Sequence, residues 1–388
     1  MTSINRIKYI VRILFGTLLG LYIGMLVLLN IPSVQNKLAS FTSNELRKLL
    51  NTEVKVGHVE LGGFNRIIVE DLLLNDQQGN EMLKVARLSA KFDILPIFQK
   101  KLSISSVQLF GFNIHLNRST PQSEPNYQFV LDALASKDTI DKQTHLDLRI
   151  NSVLIRRGRV AYDVHSLPTT PGKFNASHIN IDNLAATLSL KALRQDTLNV
   201  AVRRISFKEQ SGFELKKLSF KTIANNNKLE LSDFMIELPK SQLKMEQVDL
   251  QYDTLPSLLQ LTEQVSYEGK LIGKLHPIDF KPILPLLSQL NQPINLAMDF
   301  AGKGKEIDCQ TFSLDDNKHL ELRGKTRINL QEPQTSLFAN ISKLHVNQEG
   351  IVYLMEGLTG KVPNIMKNLQ FIDFQGTTQG TLNHLRAD

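Results

Sequence analysis

The sequence predicts a mainly β protein: an N-terminal transmembrane helix followed by an elongated, curved antiparallel β-sheet rolled into an apolar groove, with a few short helices. Three observations predict it. A charge-free apolar run stands near the N-terminus, a four-point apolar pattern recurs through the rest of the 388 residues, and turn-forming clusters separate its copies. An apolar fraction of 42% and a charged fraction of 21% are those of a chain that buries a core, which excludes a largely disordered one.

Residues 13–29 read ILFGTLLGLYIGMLVLL, seventeen positions without a charge. With residues 30 and 31 they approach the ~20 residues needed to cross ~30 Å of hydrocarbon at 1.5 Å each. The expected anchor side chains are Ile13, Leu14, Phe15, Leu18, Leu19, Leu21, Tyr22, Ile23, Met25, Leu26, Val27, Leu28 and Leu29. Arg6, Lys8 and Arg12 precede the run, and the next charge is Lys37. The positive-inside bias therefore keeps residues 1–12 as a cytoplasmic tail, makes 13–31 a single-pass signal-anchor of a bacterial inner membrane, and exports 51–388 to the periplasm. A cleaved signal peptide would need small residues at its exit, where this chain has LLNIPSVQN. Over 33–50, Val34, Leu38, Phe41, Leu46, Leu49 and Leu50 follow helical spacing, with Ser33 as the expected cap of an amphipathic connecting helix.

Beyond residue 51, apolar residues recur at i, i+2, i+5 and i+7. Copies stand at Val54, Val56, Val59, Leu61; at Leu83, Val85, Leu88, Ala90; at Leu102, Ile104, Val107, Leu109; and at Leu148, Ile150, Val153, Ile155. Further copies fall at Val200, Val202, Ile205, Phe207; at Phe213, Leu215, Leu218, Phe220; at Leu229, Leu231, Phe234, Ile236; and at Leu243, Met245, Val248, Leu250. The last two are Ile307, Cys309, Phe312, Leu314 and Ala339, Ile341, Leu344, Val346. On a helix, at about 100° per residue, the four positions scatter around the whole circumference, so they form no apolar stripe. On a strand each half alternates correctly, and the three-residue step in the middle is what one inserted residue, a β-bulge, produces. Copies at 213, 229 and 243 lie 16 and 14 residues apart, which predicts an antiparallel meander. Turns are expected at 75–80, 225–227 and 315–317, and loops at 117–126 and 167–172. Short helices or helical turns are expected at 95–100, 127–135, 255–264, 280–290 and 348–358.

On the order of 20 strands at ~4.8 Å would make a flat sheet about 100 Å across, so the sheet must close, form a sandwich, or roll into a trough. In the trough, the lining falls to Leu148, Ile150, Val153, Ile155, Phe213, Leu215, Leu218, Phe220, Leu229, Leu231, Phe234, Ile236, Leu243, Met245, Val248 and Leu250. The pattern alone leaves open a closed core with no conduit.

Signals for catalysis are weak. The nine histidines include no HExxH, and Cys309 is the only cysteine, which excludes an intramolecular disulfide. In AGKGKEID, Ile307 stands where a dinucleotide-binding loop needs its third glycine, and a hairpin turn explains Gly302 and Gly304 better. Gly324-Lys325-Thr326 lacks the first glycine of a phosphate loop, His319 being in its place. Asp163, Asp182 and Asp249 read as strand-end residues. The expectation is no enzyme, cofactor or metal. The +7 charge is dispersed, which argues against a nucleic-acid partner.

The segments IPSVQNKLASFTSNELRKLLNTEVKVGHVEL and EDLLLNDQQGNEMLKVARLSAKFDILPIFQKKLSISSVQLFGFNIHL, placed after a positive-flanked anchor, resemble the N-terminal region of AsmA-like and TamB envelope proteins in a Bacteroidetes-like form. KPILPLLSQLNQPINLAMDFAGKG and HLELRGKTRINL are also similar to that family. The likeness rests on the order and patterning of elements. It implies a hydrophobic β-groove for phospholipid transport between membranes, outer-membrane protein assembly, or both. The implied partners are the inner membrane, phospholipid acyl chains and an outer-membrane assembly barrel, the last through a C-terminal part that this chain is expected to lack. The apolar pattern suits the same mechanism, with acyl chains sliding along the apolar face and headgroups in solvent. An envelope structural β protein and an exported hydrolase are the competing readings.

Overall fold

The computed structural model describes scattered residues between 9 and 27, then 31–62, 65–93, 103–135, 151–194, 197–330, 335–381 and 384–387. Most of the expected tail and anchor therefore lies outside the described residues, including Leu14, Leu18, Tyr22, Met25, Leu26, Leu28 and Leu29. Ile13, Phe15, Leu19, Leu21, Ile23 and Val27 are helical and exposed. Among the described residues, no helix is long and apolar enough to cross a membrane. The helix expected at 95–100 and the lining positions Leu148 and Ile150 also fall outside.

The protein is mainly β, with seventeen strands among the described residues, and divides into two units, Met1–Leu167 and Pro168–Asp388. In the first unit, helix α1 (Pro32–Leu50) leads to β1 (Val54–Leu61), β2 (Arg66–Asn75), β3 (Glu81–Phe92) and β4 (Ile104–Arg118), then helix α2 (Gln128–Ala135) and β5 (Ser152–Val164). β1 to β4 pair antiparallel in chain order. β5 pairs parallel to β4, which corrects the expected all-antiparallel meander. The sequence between them is long enough, and contains a helix, so the chain crosses back before β5 begins.

α1 begins at Pro32, whose missing N–H suits a first helical turn, and it has no side-chain cap, so Ser33 does not play the capping part expected of it. The helix ends on Asn51 in the left-handed region, with Arg47 and Lys48 in its last turn facing the negative end of the helix dipole. Its buried stripe is Gln35, Ala39 and Ser43, not the expected stripe alone; Phe41 and Leu49 are exposed. Ala39 packs with Val56 and Val59, while Leu46 and Leu50 pack with Val54 and Leu74. The Val56 N–H donates to Ser43 Oγ at 2.9 Å, so α1 covers what would be an open edge on β1.

The second unit holds β6 (His178–Arg194), β7 (Thr197–Glu209), β8 (Glu214–Asn225), β9 (Lys228–Glu237), β10 (Gln242–Gln251) and, after helix α3 (Leu255–Gln260), β11 (Ser266–Leu275). β12 (Ile294–Lys303), β13 (Glu306–Asp315), β14 (Leu320–Asn329) and β15 (Ser336–Asn347) follow. Helices α4 (Gln348–Thr359) and α5 (Asn364–Lys367) then precede β16 (Phe371–Thr381) and β17 (His384–Ala387). Every pair of successive strands from β6 to β17 is antiparallel. The turns at 75–80, 225–227 and 315–317 stand where the sequence puts them. The stretch expected to be helical at 280–290 is two 3-10 turns, Pro277–Phe280 and Pro285–Gln289.

Candidate functional site: four apolar rows and a strap

Strand pairing turns the sequence pattern into rows. Leu243 on β10 faces Ile236, which faces Leu218, which faces Ile205; on its other side the row continues through Gly273, Leu296, Leu314, Leu322, Leu344 and Phe374. Two residues along each strand, Met245 faces Phe234 and Leu271, and the row runs on through Met298, Phe312, Gly324 and Ile341. Phe220, opposite Val202, continues this row beside a bulge. A third row contains Val200, Thr222, Leu231, Val248, Gly269, Phe300, Cys309, Thr326 and Ala339. The fourth contains Leu198, Ala224, Leu229, Leu250, Tyr267, Gly302, Ile307, Ile328 and Leu337. Paired residues share a face, so all four rows lie on one side of the sheet.

Bulges keep the rows in line. On β13 and β15 the register shifts across 310–311 and 342–343, and on β10 across 246–247. Their straight neighbours β11, β12, β14 and β16 alternate without a step. Each inserted position carries a polar, exposed residue: Glu246, Gln247, Gln310, Thr311, Ser342 and Lys343. The insertion thus adds nothing to the apolar face and restores its phase. β9 does the same with Asp233, held at φ 52.

Twelve of the expected lining residues fall in these rows or their equivalents in the first unit, where Val153 pairs with Val107 and Ile155 with Leu109. Phe213 and Leu215 do not. Leu215 pairs with Phe207 across the β8 bulge at 216–217, one step beyond the first row on the same face, and Phe213 lies outside β8 with its ring 6.3 Å from that of Phe207. The positions of β8 that do belong, Thr222 and Ala224, escaped the sequence reading because they are small or polar. Leu215 and Val248 are buried, whereas Phe220, Phe234, Ile236, Met245 and Leu250 are half-buried.

The two units treat this face differently. In the first, α1 packs on β1 and β2, and Tyr127, Phe129 and Val130 close over Leu74 and Met82. In the second, α4 packs against β15 and β16, and among the described residues no other helix packs broadly across the strands. The opposite face is charged. Lys228 pairs with Glu230 at 2.7 Å and Asp249 at 3.3 Å, and Glu321 pairs with Lys343 at 2.6 Å and Arg323 at 2.9 Å. These bonds raise the Lys228 pKa and lower that of Glu321, but exposed pairs contribute little to stability.

At one end of these strands, residues 277–290 form a strap between β11 and β12. The Asp279 carboxylate accepts from Ser241 Oγ at 2.7 Å and from the Lys240 N–H at 2.9 Å, both in the β9–β10 turn. The Pro282 carbonyl accepts the Phe174 N–H at 2.8 Å, and Pro282 lies beside Gly212 in the β7–β8 turn. Leu290 is buried against Gly357 of α4, and Tyr353 Oη accepts the Gln292 N–H at 2.8 Å.

Asp182 and Asp249 stand on strands four positions apart, paired with Lys208 and Glu230. Among the described residues no group of three or more His, Cys, Asp or Glu side chains could hold a metal ion. Comparison with known proteins finds no family model that matches the chain and no curated protein that matches it.

Proposed function

We propose that the chain is an inner-membrane-anchored periplasmic protein whose sheet is rolled about the four apolar rows to carry phospholipid acyl chains between membranes, in support of outer-membrane assembly. The observation that carries this reading is the continuity of the rows across β7 to β15, in which most of the large side chains are half-buried. A closed core would bury such residues almost completely. Each CH₂ kept from water along the rows gains ~0.8 kcal/mol, and equivalent rows of hydrocarbon let a chain shift from strand to strand without a large barrier. The charged face holds the protein in solution. The charge-free run at 13–29 supplies the anchor, and the resemblance to AsmA-like and TamB proteins supports the same assignment.

A photo-crosslinking residue at Phe234, in the full chain in cells, tests this. Phospholipid adducts are expected there and not at neighbouring Asp233, which is on the charged face; Leu250→Asp should abolish them. A folded protein without adducts at Phe234 would sink the conduit and leave a structural β protein.

A further inference from the structure

The strap turns large apolar side chains outward. Ile283, Leu284 and Leu286 are 48%, 53% and 58% exposed, and Phe174, whose N–H binds Pro282, is 42% exposed. Scattered exposed leucines are ordinary; four large apolar residues on two backbone-bonded segments make a patch that calls for a partner. Lys173 and Lys281 flank it, both exposed and neither ion-paired among the described residues. Asp279, the carboxylate closest along the strap, is turned away onto Ser241 and the Lys240 N–H. The patch is therefore apolar at its tips and positive at its margin.

We propose that this patch docks on the interfacial region of an anionic lipid bilayer, with Phe174, Ile283, Leu284 and Leu286 entering the headgroup–acyl boundary and Lys173 and Lys281 meeting lipid phosphates. The composition favours a bilayer over a protein. Protein interfaces are depleted in lysine and rely on Tyr, Trp and Arg anchors, none of which is in the patch. Branched aliphatic residues with lysines on short turns match the composition of interfacial membrane segments. The patch lies on the strap and not in the rows, so the inference stands whether or not the rows carry acyl chains.

The test uses the full chain with Cys309→Ser, which removes its only cysteine, and Leu284→Cys carrying an environment-sensitive fluorophore, reconstituted into vesicles. In vesicles of equal parts phosphatidylglycerol and phosphatidylcholine, the probe should shift to the blue and be quenched by lipids spin-labelled near the headgroup. A probe at Ile272, which is 47% exposed on the charged face, should not respond. Lys173→Ala with Lys281→Ala should weaken docking about 30-fold, from about 1 kcal/mol per lysine. Aqueous emission at 284 in anionic vesicles, with the sheet intact by circular dichroism and the same result at Leu286, overturns the proposal. Docking that is indifferent to the two lysines, or equal in pure phosphatidylcholine, overturns it too.

Discussion

The ring of Phe300 on β12 lies over Gly269 on β11: a Cβ at Gly269 would come within 2.9 Å of the Phe300 Cζ and 2.9 Å of Val248 Cγ2 on β10. Tyr267 lies over Gly302 in the same way, and in the first unit Phe112 lies over Gly158. A ring that reaches over a glycine occupies the space its missing side chain leaves in the row.

Gly269→Val should therefore push Phe300 off its seat and cost ~1–3 kcal/mol, the usual range for overpacking. Urea unfolding of the single variant and of Gly269→Val with Phe300→Leu checks the coupling. The double variant should recover most of the loss, and additive losses would show that the two residues do not share the site.

Asn183 on β6 sits at φ 55, where the register with β7 shifts between Asp182 and Ala185. Valine normally suits a strand better than asparagine or glycine, but a β-branched residue is strained at positive φ. Asn183→Val is expected to cost ~1–2 kcal/mol, and Asn183→Gly to stay within about 0.5 kcal/mol of the parent. A stabilised valine variant would mean that the bulge is lost there.

Asp316, in the β13–β14 turn, feels burial that pushes its pKa up, but backbone N–H groups of Leu320, His319 and Lys318 and the His319 ring outweigh it and hold the pKa below the usual carboxylate range. Its Oδ2 is 2.9 Å from His319 Nδ1, and His319 stacks on Tyr353 of α4 at 5.6 Å. Because the folded pKa is depressed, this stabilisation is complete above the unfolded value near ~3.9 and is lost as pH falls through the lower folded value. Acid titration followed by tyrosine circular dichroism should show a step below about pH 4 that Asp316→Ala lacks. At neutral pH the same variant should lose ~1–3 kcal/mol.

Cys309 is 1% exposed, and burial, followed by the neighbouring Asp308 charge, raises its thiol pKa. Iodoacetamide should label it in the folded chain far more slowly than a free thiol, with urea restoring the free rate. Rapid labelling in native buffer would show that the third row opens at β13.

The four-point pattern was legible because its two halves obey a period of two and the bulge adds one residue at a fixed place. It named β7, β8, β9, β10, β13 and β15 correctly as bulged strands. It missed the straight partners, such as β11 and β14, because Gly269, Gly273, Gly324 and Thr326 occupy row positions without being large or apolar. It placed the β8 step correctly between Leu215 and Leu218, but Phe213 stands before that strand begins. The parallel β4–β5 pair was hidden because direction depends on a long connection that carries no periodic signal. At α1, Pro32 already fixes the first turn, so the serine after it had no cap to supply.

The order of straight and stepped strands from β12 to β15 has a consequence for how such a chain can change length. β12 is straight and meets stepped β13; β14 is straight and meets stepped β15. Excising residues 304–329, one hairpin, would bring β12 directly against β15, a straight strand still meeting a stepped one, with chain direction unchanged. Losing one strand would instead reverse the chain direction of every strand that follows. Growth or shrinkage of this surface is thus quantised in hairpins, and insertions or deletions that respect that quantum leave its greasy side unbroken.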